Sequence, residues 1–191
     1  MVNSRCKKED FLPIQNVGEK AYIIRFSKET EYVPVIDEHD EPTGEVEDSG
    51  WVIFTEEMLY GEVTPDSVRR IRLQELAEYD SSPEVNEFYV NDIPMWYNNM
   101  ERVSIDYLLH IEENNGQTTT DLYDKNGNKF TVNIDIAIAM LAQVELYAKD
   151  CYDVTTQHRA DLNALTNIDD ILAYDIKTNY PEKLYLSTNA N

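Results

Sequence analysis

Residues 133 to about 166 contain neither glycine nor proline, which strongly limits the folds that this sequence allows. The apolar residues of this stretch recur every three to four positions, the spacing of one helix face. They are Ile134, Ile138, Leu141, Val144, Ala148, Tyr152, Leu162 and Leu165. Asn133 is placed to cap the first turn. A single helix of this length extends about 45–50 Å, which favours an elongated assembly over a compact enzyme. The β-branched residues within 154–158 are compatible with a kink in this helix but do not require one.

The first 62 residues are expected to form an N-terminal arm and a small β-rich region. Residues 1–18 show no sustained periodicity and predict an arm that is disordered or docked on a partner. Three runs rich in β-branched and aromatic residues predict strands at 21–26, 32–36 and 51–54. Pro34 cannot donate a ladder hydrogen bond, so the second strand is predicted to lie at a sheet edge.

Residues 63–186 are expected to form a helical domain with two β-hairpins, and residues 187–191 a tail. Thr64 and Pro65 start a helix with a threonine cap and a proline at the first position. This helix should continue to Tyr79. Its predicted buried residues are Val68, Leu73, Leu76 and either Ile71 or Ala77. Arg69, Arg70 and Arg72 share the helix with Glu75 and Glu78, which predicts ion pairs within the helix.

The rest of this domain alternates turn signals with apolar runs. Asn91-Asp92 predicts a tight hairpin turn between residues 85–90 and 93–97, and Asn126-Gly127 predicts a second hairpin. Ser104 is the predicted cap of a helix that ends near Gly116. A short helix capped by Asn167 should follow the long one, and residues 180–186 should be extended. The predicted fold class is therefore α+β.

Charge and cysteine content exclude several classes of function. The chain has 16 Lys and Arg against 37 Asp and Glu, a net charge of −21 that repels phosphate backbones and anionic lipid. Nucleic acid and membrane are therefore not expected as partners. The acidic charge indicates either a basic protein surface as partner or a need for solubility at high concentration. Cys6 and Cys151 are the only cysteines and do not suggest a disulfide framework. There is no signal-peptide pattern and no apolar run near eighteen residues.

Residues that could carry chemistry are better explained as structural or solvated groups. The acidic segment with Asp37, Glu38, Asp40, Glu41, Glu45, Glu47 and Asp48 matches no cation-binding loop. Asp124, Asn126, Asn128 and Asp135 imitate a calcium-loop spacing, but Lys129 stands where that loop needs glycine. His39, His110 and His158 are isolated from other metal ligands. Nucleotide-binding, hydrolase and zinc motifs are absent from the sequence, so we expect neither an enzyme nor a bound metal or cofactor.

Aromatic residues are more notable than any of these groups. Thirteen tyrosines and two tryptophans are present, and several aromatics fall in one segment. The candidate interface residues are Phe88, Tyr89, Trp96, Tyr97 and Tyr107. Such side chains bring large contact area with a polar handle and are frequent in binding hot spots. Core packing is the alternative explanation for the same residues.

Several short motifs, in a fixed order, resemble a domain family of unknown function found in bacteriophage and prophage proteins, often near tail-fibre genes. The resemblance covers about residues 71–184. The matching positions are Tyr79-Asp80-Ser81-Ser82, Val85-Asn86, Phe88, Trp96, Arg102-Val103, Met140-Leu141, Glu145-Leu146-Tyr147-Ala148, Cys151-Tyr152, Thr155, His158, Tyr174-Asp175 and Tyr180-Pro181-Glu182-Lys183-Leu184.

The resemblance implies a phage context and supplies no catalytic or ligand-binding residues. On that basis we expect a virion structural protein of the tail-fibre or head-fibre apparatus. It would be assembled in the host cytoplasm, associate with other phage structural proteins, and form a homo-oligomer. The alternative is an intracellular chaperone for fibre assembly, a role that suits a small acidic protein.

Overall fold

The computed structural model describes residues 1–37, 39 and 41–188, and its fold is α+β as predicted. Strands dominate the N-terminal part, and helices with two hairpins follow. The chain divides into two compact units. Unit 1 consists of Met1–Glu75 and Arg159–Ile176. Unit 2 consists of Leu76–His158 and the residues from Lys177 onward.

Unit 1 is built on a four-stranded antiparallel sheet. Its strands are β1 (Val2–Lys7), β2 (Ile14–Gly18), β3 (Ala21–Ile36) and β4 (Pro42–Tyr60), in the order β1-β4-β3-β2. The prediction of an N-terminal arm at residues 1–18 is therefore wrong, because β1 pairs with β4 and β2 pairs with β3. Most residues of β1 and β2 are exposed, so no alternating apolar pattern marked these edge strands in the sequence.

The two strands predicted at 21–26 and 32–36 are parts of the single strand β3. Register shifts within β3 let one long strand bend where the sequence pattern breaks. Pro34 pairs only with β4, because β2 reaches β3 no further than Ile24. The predicted edge position of Pro34 is thus confirmed. The expectation that the acidic segment is a loop over residues 37–49 is wrong from Pro42 onward, because β4 begins there. Glu38 and Asp40 lie outside the described residues.

One face of this sheet supplies the buried apolar side chains of unit 1. Ile24 and Phe26 from β3 and Val52 and Phe54 from β4 are buried at alternating positions, as expected for a sheet with one covered face. Helix α5 (Ile168–Ala173) contacts β3. Its first turn is capped by Asn167, whose side chain accepts from the amide of Asp169 at 2.7 Å, which confirms the predicted short helix.

Helix α1 (Pro65–Asp80) begins as predicted, with Thr64 accepting the amide of Ser67 at 3.2 Å. Of the residues predicted to be buried, Val68, Ile71 and Leu76 are buried, Leu73 is partly buried and Ala77 is exposed. The predicted intrahelical pairing is confirmed for Arg69 with Asp66 and for Arg72 with Glu75. The sequence did not predict that Arg72 and Glu75 are themselves buried.

Unit 2 has two small sheets and a helical core. Helix α2 (Pro83–Asn86) leads into β5 (Phe88–Val90) and β6 (Ile93–Met95), whose turn residues Asn91 and Asp92 both have positive φ, as the predicted tight turn requires. Strand β9 (Tyr185–Leu186) pairs in parallel with β5. The second hairpin joins β7 (Thr119–Tyr123) to β8 (Lys129–Asn133).

Helix α3 (Asn99–Asn114) begins six residues earlier than predicted, because its cap is Asn98 and not Ser104. Asn98 is the cap, because its side chain accepts the amide of Glu101 while the Glu101 carboxylate accepts the amide of Asn98. Ser104 instead donates to the carbonyl of Met100 within the helix. This reciprocal capping box satisfies two amide donors at the helix start.

The stretch that lacks glycine and proline forms one helix, α4 (Ile134–Ala164), without a break at residues 154–158. Asn133 caps it by accepting the amide of Asp135 at 2.9 Å, as predicted. At 31 residues the helix is about 46 Å long. Tyr152 is 63% exposed, so its predicted place on the buried face is wrong, and the buried face passes through Cys151, Thr155 and His158 instead.

The apolar core of unit 2 lies between the hairpins and helices α3 and α4. It contains Phe88, Val90, Met95, Leu109, Leu122, Val132, Ala137, Met140, Leu141, Val144 and Leu186.

Two buried polar side chains, Thr155 and His158, lie further along α4. Thr155 Oγ1 donates to Asp80 at 2.6 Å and lies 2.8 Å from the Tyr180 hydroxyl, and His158 Nε2 lies 2.8 Å from the Thr178 carbonyl oxygen. These contacts make His158 a structural residue, in line with its predicted role.

Candidate functional site

The five aromatic residues predicted as a candidate interface do not form one surface. Phe88 is 2% exposed in the unit 2 core, and Tyr97 packs against it with ring centroids 5.7 Å apart. Tyr89 stacks on Tyr185 at 4.7 Å, and Trp96 is partly buried. Only Tyr107 is highly exposed, at 67%. Most of this set therefore packs within unit 2, and Tyr107 points to a different surface.

Tyr107 belongs to an exposed apolar stripe along α3. The other members of this α3 stripe are Met100, Val103, Leu108 and Ile111. Met100, Val103, Tyr107 and Ile111 follow one another at intervals of three or four, so they share a helix face. Leu108 extends the face to one side. Between Met100 and Ile111 the stripe is about 16 Å long at 1.5 Å per residue.

The opposite face of α3 fixes the helix to unit 2. Leu109 is buried in the core and Ile105 packs against the same cluster. Arg102 donates from Nε to Glu145 on α4 at 2.8 Å and from a terminal nitrogen to the Tyr97 carbonyl at 2.9 Å. Because this face and the capping box hold the helix, the α3 stripe is displayed on an ordered element.

Acidic residues flank the α3 stripe on both sides. At 100° per residue, Asp106 and Glu113 lie along one side, and Glu101 and Glu112 along the other. His110 lies 3.7 Å from Asp106 and 3.4 Å from Glu113, and it neutralises part of that side only when protonated. Arg102 is the only other cationic residue of α3, and it is paired with Glu145. The α3 stripe is thus an apolar surface flanked by negatively charged side chains.

An open depression adjoins the N-terminal end of the α3 stripe. It is lined by Tyr97, Asn98, Met100, Glu101, Ser104 and Ile105, with a volume of about 340 Å³. Its wall combines apolar side chains with the carboxylate of Glu101. A depression of this size can receive one large side chain from a bound protein.

Titration of Tyr97 at the edge of this depression gives a first prediction. Burial raises the pKa of Tyr97 to about 12, and its hydroxyl donates to the Tyr123 carbonyl at 3.0 Å. The unfolded chain, with a tyrosine pKa of about 10, loses this proton first. The contribution of protonated Tyr97 to folding stability is therefore complete below pH ~10. It is lost as pH rises toward the pKa of Tyr97 in the folded chain.

Urea unfolding measured from about pH 8 to 12 should show this loss. The variant Tyr97→Phe removes the titrating hydroxyl and should lose less stability over the same pH interval than the native chain. Tyr123→Phe, which alters an exposed hydroxyl, is the matched control and should retain the native slope. Equal slopes for the native chain and Tyr97→Phe would contradict the assignment.

The remaining candidate groups are engaged in local structure. Both Asp124 oxygens accept hydrogen bonds within the second hairpin turn, from the amides of Asn126 and Asn128 and from the Asn128 side chain. Asp37 accepts the amides of His39 and Glu41 in the same manner. Cys6 and Cys151 are free thiols, and burial raises the pKa of Cys151. Across residues 1–37, 39 and 41–188, no group of three or more His, Cys, Asp and Glu side chains is arranged to hold a metal ion.

The apolar pattern of the α3 stripe is present in the sequence, but the predicted helix did not include all of its residues. Helix α3 carries apolar residues on two opposite faces, whereas one face suffices to pack against a core. Because the predicted start at Ser104 excluded Met100 and Val103, only part of the second apolar face could be recognised.

In the described part of the chain, no helix combines the length and apolar character needed to cross a bilayer.

No protein-family model matches this chain, and comparisons with curated proteins and with solved structures also give no match.

Proposed function

We propose that this chain is a structural protein of a bacteriophage particle, belonging to its tail-fibre or head-fibre apparatus, and that it acts by binding other proteins of the particle. The observation that carries the binding role is the exposed α3 stripe on an anchored helix. The phage context rests on the resemblance over about residues 71–184. The partners are neighbouring structural proteins, and copies of the same chain join through surfaces other than α3.

An association role explains why α3 exposes its large apolar residues. Single exposed hydrophobic residues are common on soluble proteins, but a contiguous stripe usually marks an interaction site. Tyr107 and Met100 are 67% and 73% exposed, so most of their surface is available to a partner. Aromatic residues and methionine are also enriched in interface cores. Burial of the stripe is worth roughly 25 cal/mol for each Å² of apolar surface removed from water.

Mass spectrometry of purified particles of the phage that encodes the chain tests the proposal. We expect the native chain to be retained in particles after density-gradient purification. If it is absent from particles but forms a complex with a fibre protein in infected lysates, the chaperone role is correct instead. Absence from both would overturn an association role in the particle.

Incorporation of a stripe variant tests the role of α3 directly. Val103→Ser with Ile111→Ser removes two apolar side chains from the α3 stripe, and we expect at least a tenfold loss of the chain from purified particles, equivalent to about 1.4 kcal/mol. Tyr32→Ser with Val46→Ser, which changes exposed apolar residues of β3 and β4, is the matched control. Ile111 is 38% exposed and the other three residues are at least 58% exposed. Urea unfolding should therefore show that both variants are folded before their incorporation is compared. Native incorporation of the α3 variant would contradict the proposal.

A further inference from the structure

We infer that the partner of the α3 stripe is a basic amphipathic helix of another protein, and not a second copy of this chain. This inference rests on the proposed association role of α3 and adds the chemistry of its partner. The α3 stripe supplies a straight apolar surface about 16 Å long, which matches three turns of a partner helix with apolar residues at intervals of three and four.

The charges beside the stripe select the partner. Asp106 and Glu113 on one side and Glu101 and Glu112 on the other would lie along both edges of a helix docked on Tyr107. Lys and Arg residues at those edges complement them, whereas acidic residues are repelled.

A second copy of the chain fits this surface poorly. In a symmetric pairing of two α3 helices, the acidic edges of one helix would face those of the other, because a two-fold interface brings the same patch together from both sides. The net charge of −21 adds a general repulsion between copies. The sequence of α3 contains no lysine, and its one arginine is paired with Glu145. His110 already contacts Asp106 and Glu113, so α3 offers no lysine or unpaired arginine to compensate a second set of acids.

The depression beside Met100 provides an anchor point for the same partner. Its lining by Tyr97, Ile105 and Met100 suits a large apolar side chain, and the carboxylate of Glu101 at its edge suits a neighbouring cation. A partner helix with a leucine or aromatic residue near one end and a basic residue beside it would use both features. Hot-spot residues of interfaces fill hollows of this kind.

Binding of two synthetic peptides to the full chain tests the inference. Both peptides are sixteen residues long, with leucine at the helix-face positions, and they differ only in having lysine or glutamate at all other positions. Fluorescence anisotropy should show binding of the lysine peptide that weakens as salt increases. The glutamate peptide should bind at least tenfold more weakly. Equal binding of the two peptides, or no binding of the lysine peptide, would overturn the inference.

Matched variants separate local charge from net charge. Asp106→Asn with Glu113→Gln removes two acids beside the α3 stripe, and we expect about five- to tenfold weaker binding of the lysine peptide, as two exposed charge pairs allow. Asp150→Asn with Glu182→Gln removes the same charge from exposed positions elsewhere and should change binding less than twofold. If both variants weaken binding equally, attraction to the whole acidic protein explains the result and the inference is overturned.

Failure of this inference and failure of the proposed function give different results. Val103→Ser with Ile111→Ser keeps every charge, so it should abolish binding of the lysine peptide only if the apolar stripe is the contact surface. If this variant is lost from particles while the acidic variants bind the peptide normally, association through α3 stands and the basic partner does not. Light scattering at increasing concentration completes the test: a dimer abolished by the stripe variant would make a second copy the occupant.

Discussion

Replacing Arg72 with alanine is expected to lower the free energy of unfolding of unit 1 by about 3–5 kcal/mol, the cost of removing one partner of a buried ion pair. The side chain of Arg72 is fully buried and pairs with Glu75. It also donates to Ser27 Oγ at 2.9 Å and to the Tyr174 carbonyl, and its guanidinium lies 4.9 Å from the Phe26 ring centroid. Alanine would remove all these contacts at once and leave a cavity in the core of unit 1.

The position of Ser27 increases this effect. Ser27 has a φ of 51° at a register shift of β3, a backbone conformation that is unusual for a residue with a Cβ. Its hydroxyl accepts from Arg72 and donates to Glu75 at 2.6 Å. The buried ion pair therefore also holds the bend of β3 in place. Burial lowers the pKa of Arg72, but the adjacent Glu75 carboxylate opposes this change, and arginine stays protonated throughout the usual pH range.

Urea unfolding can be followed for unit 1 alone, because Trp51 lies in unit 1 and Trp96 in unit 2. Trp96→Phe leaves Trp51 as the single reporter, which matters if the two units unfold separately. Arg70→Ala is the matched control, since Arg70 is exposed on the same helix, and it should change stability by less than about 0.5 kcal/mol. Similar stabilities of the Arg70 and Arg72 variants would show that the buried pair does not stabilise unit 1.

Local signals in the sequence were sufficient for most elements of the fold. The caps at Thr64, Asn133 and Asn167 act within one helical turn, and the Asn91-Asp92 turn is set by two adjacent residues. Such features depend on neighbours in the chain, so a sequence pattern can predict them. The α+β class followed from these elements together with the β-rich runs at 21–26, 32–36 and 51–54.

Features that depend on distant residues were missed for a physical reason. Thr155 and His158 are buried on α4 because Asp80, Thr178 and Tyr180 satisfy their polar groups. Helix periodicity assigns such polar positions to the surface unless the distant partner is known. The same reasoning explains the burial of Arg72. It also explains why the predicted buried face of α4 was wrong at Tyr152.

The start of α3 shows how a small error in a boundary can hide a functional surface. Both Ser104 and Asn98 are good capping residues, and the choice depends on Glu101, which completes a capping box only with Asn98. With the helix beginning at Asn99, Met100 and Val103 join Tyr107 on one face. The α3 stripe could therefore be predicted from the sequence only with Asn98, and not Ser104, as the helix cap.

Replacing Phe88 with alanine should lower the free energy of unfolding of unit 2 by about 3–5 kcal/mol, whereas Tyr107→Ala should change it by less than about 0.5 kcal/mol. The two residues belong to the same predicted aromatic set but lie in opposite environments. Phe88 is buried in the core, pairs with Met95 across the hairpin and packs against Tyr97. Its truncation leaves a cavity that the paired strands cannot fill by moving.

Unfolding of unit 2 is followed through Trp96 in a Trp51→Phe background, and association through binding of the lysine peptide. Tyr107→Ala should bind this peptide several-fold more weakly while keeping native stability, because the aromatic ring is exposed on the α3 stripe. Phe88→Ala should bind it normally under conditions where unit 2 remains folded. If Tyr107→Ala destabilises unit 2 as much as Phe88→Ala does, Tyr107 is a packing residue. The exposed face of α3 then loses its central contact, and an interaction surface there becomes untenable.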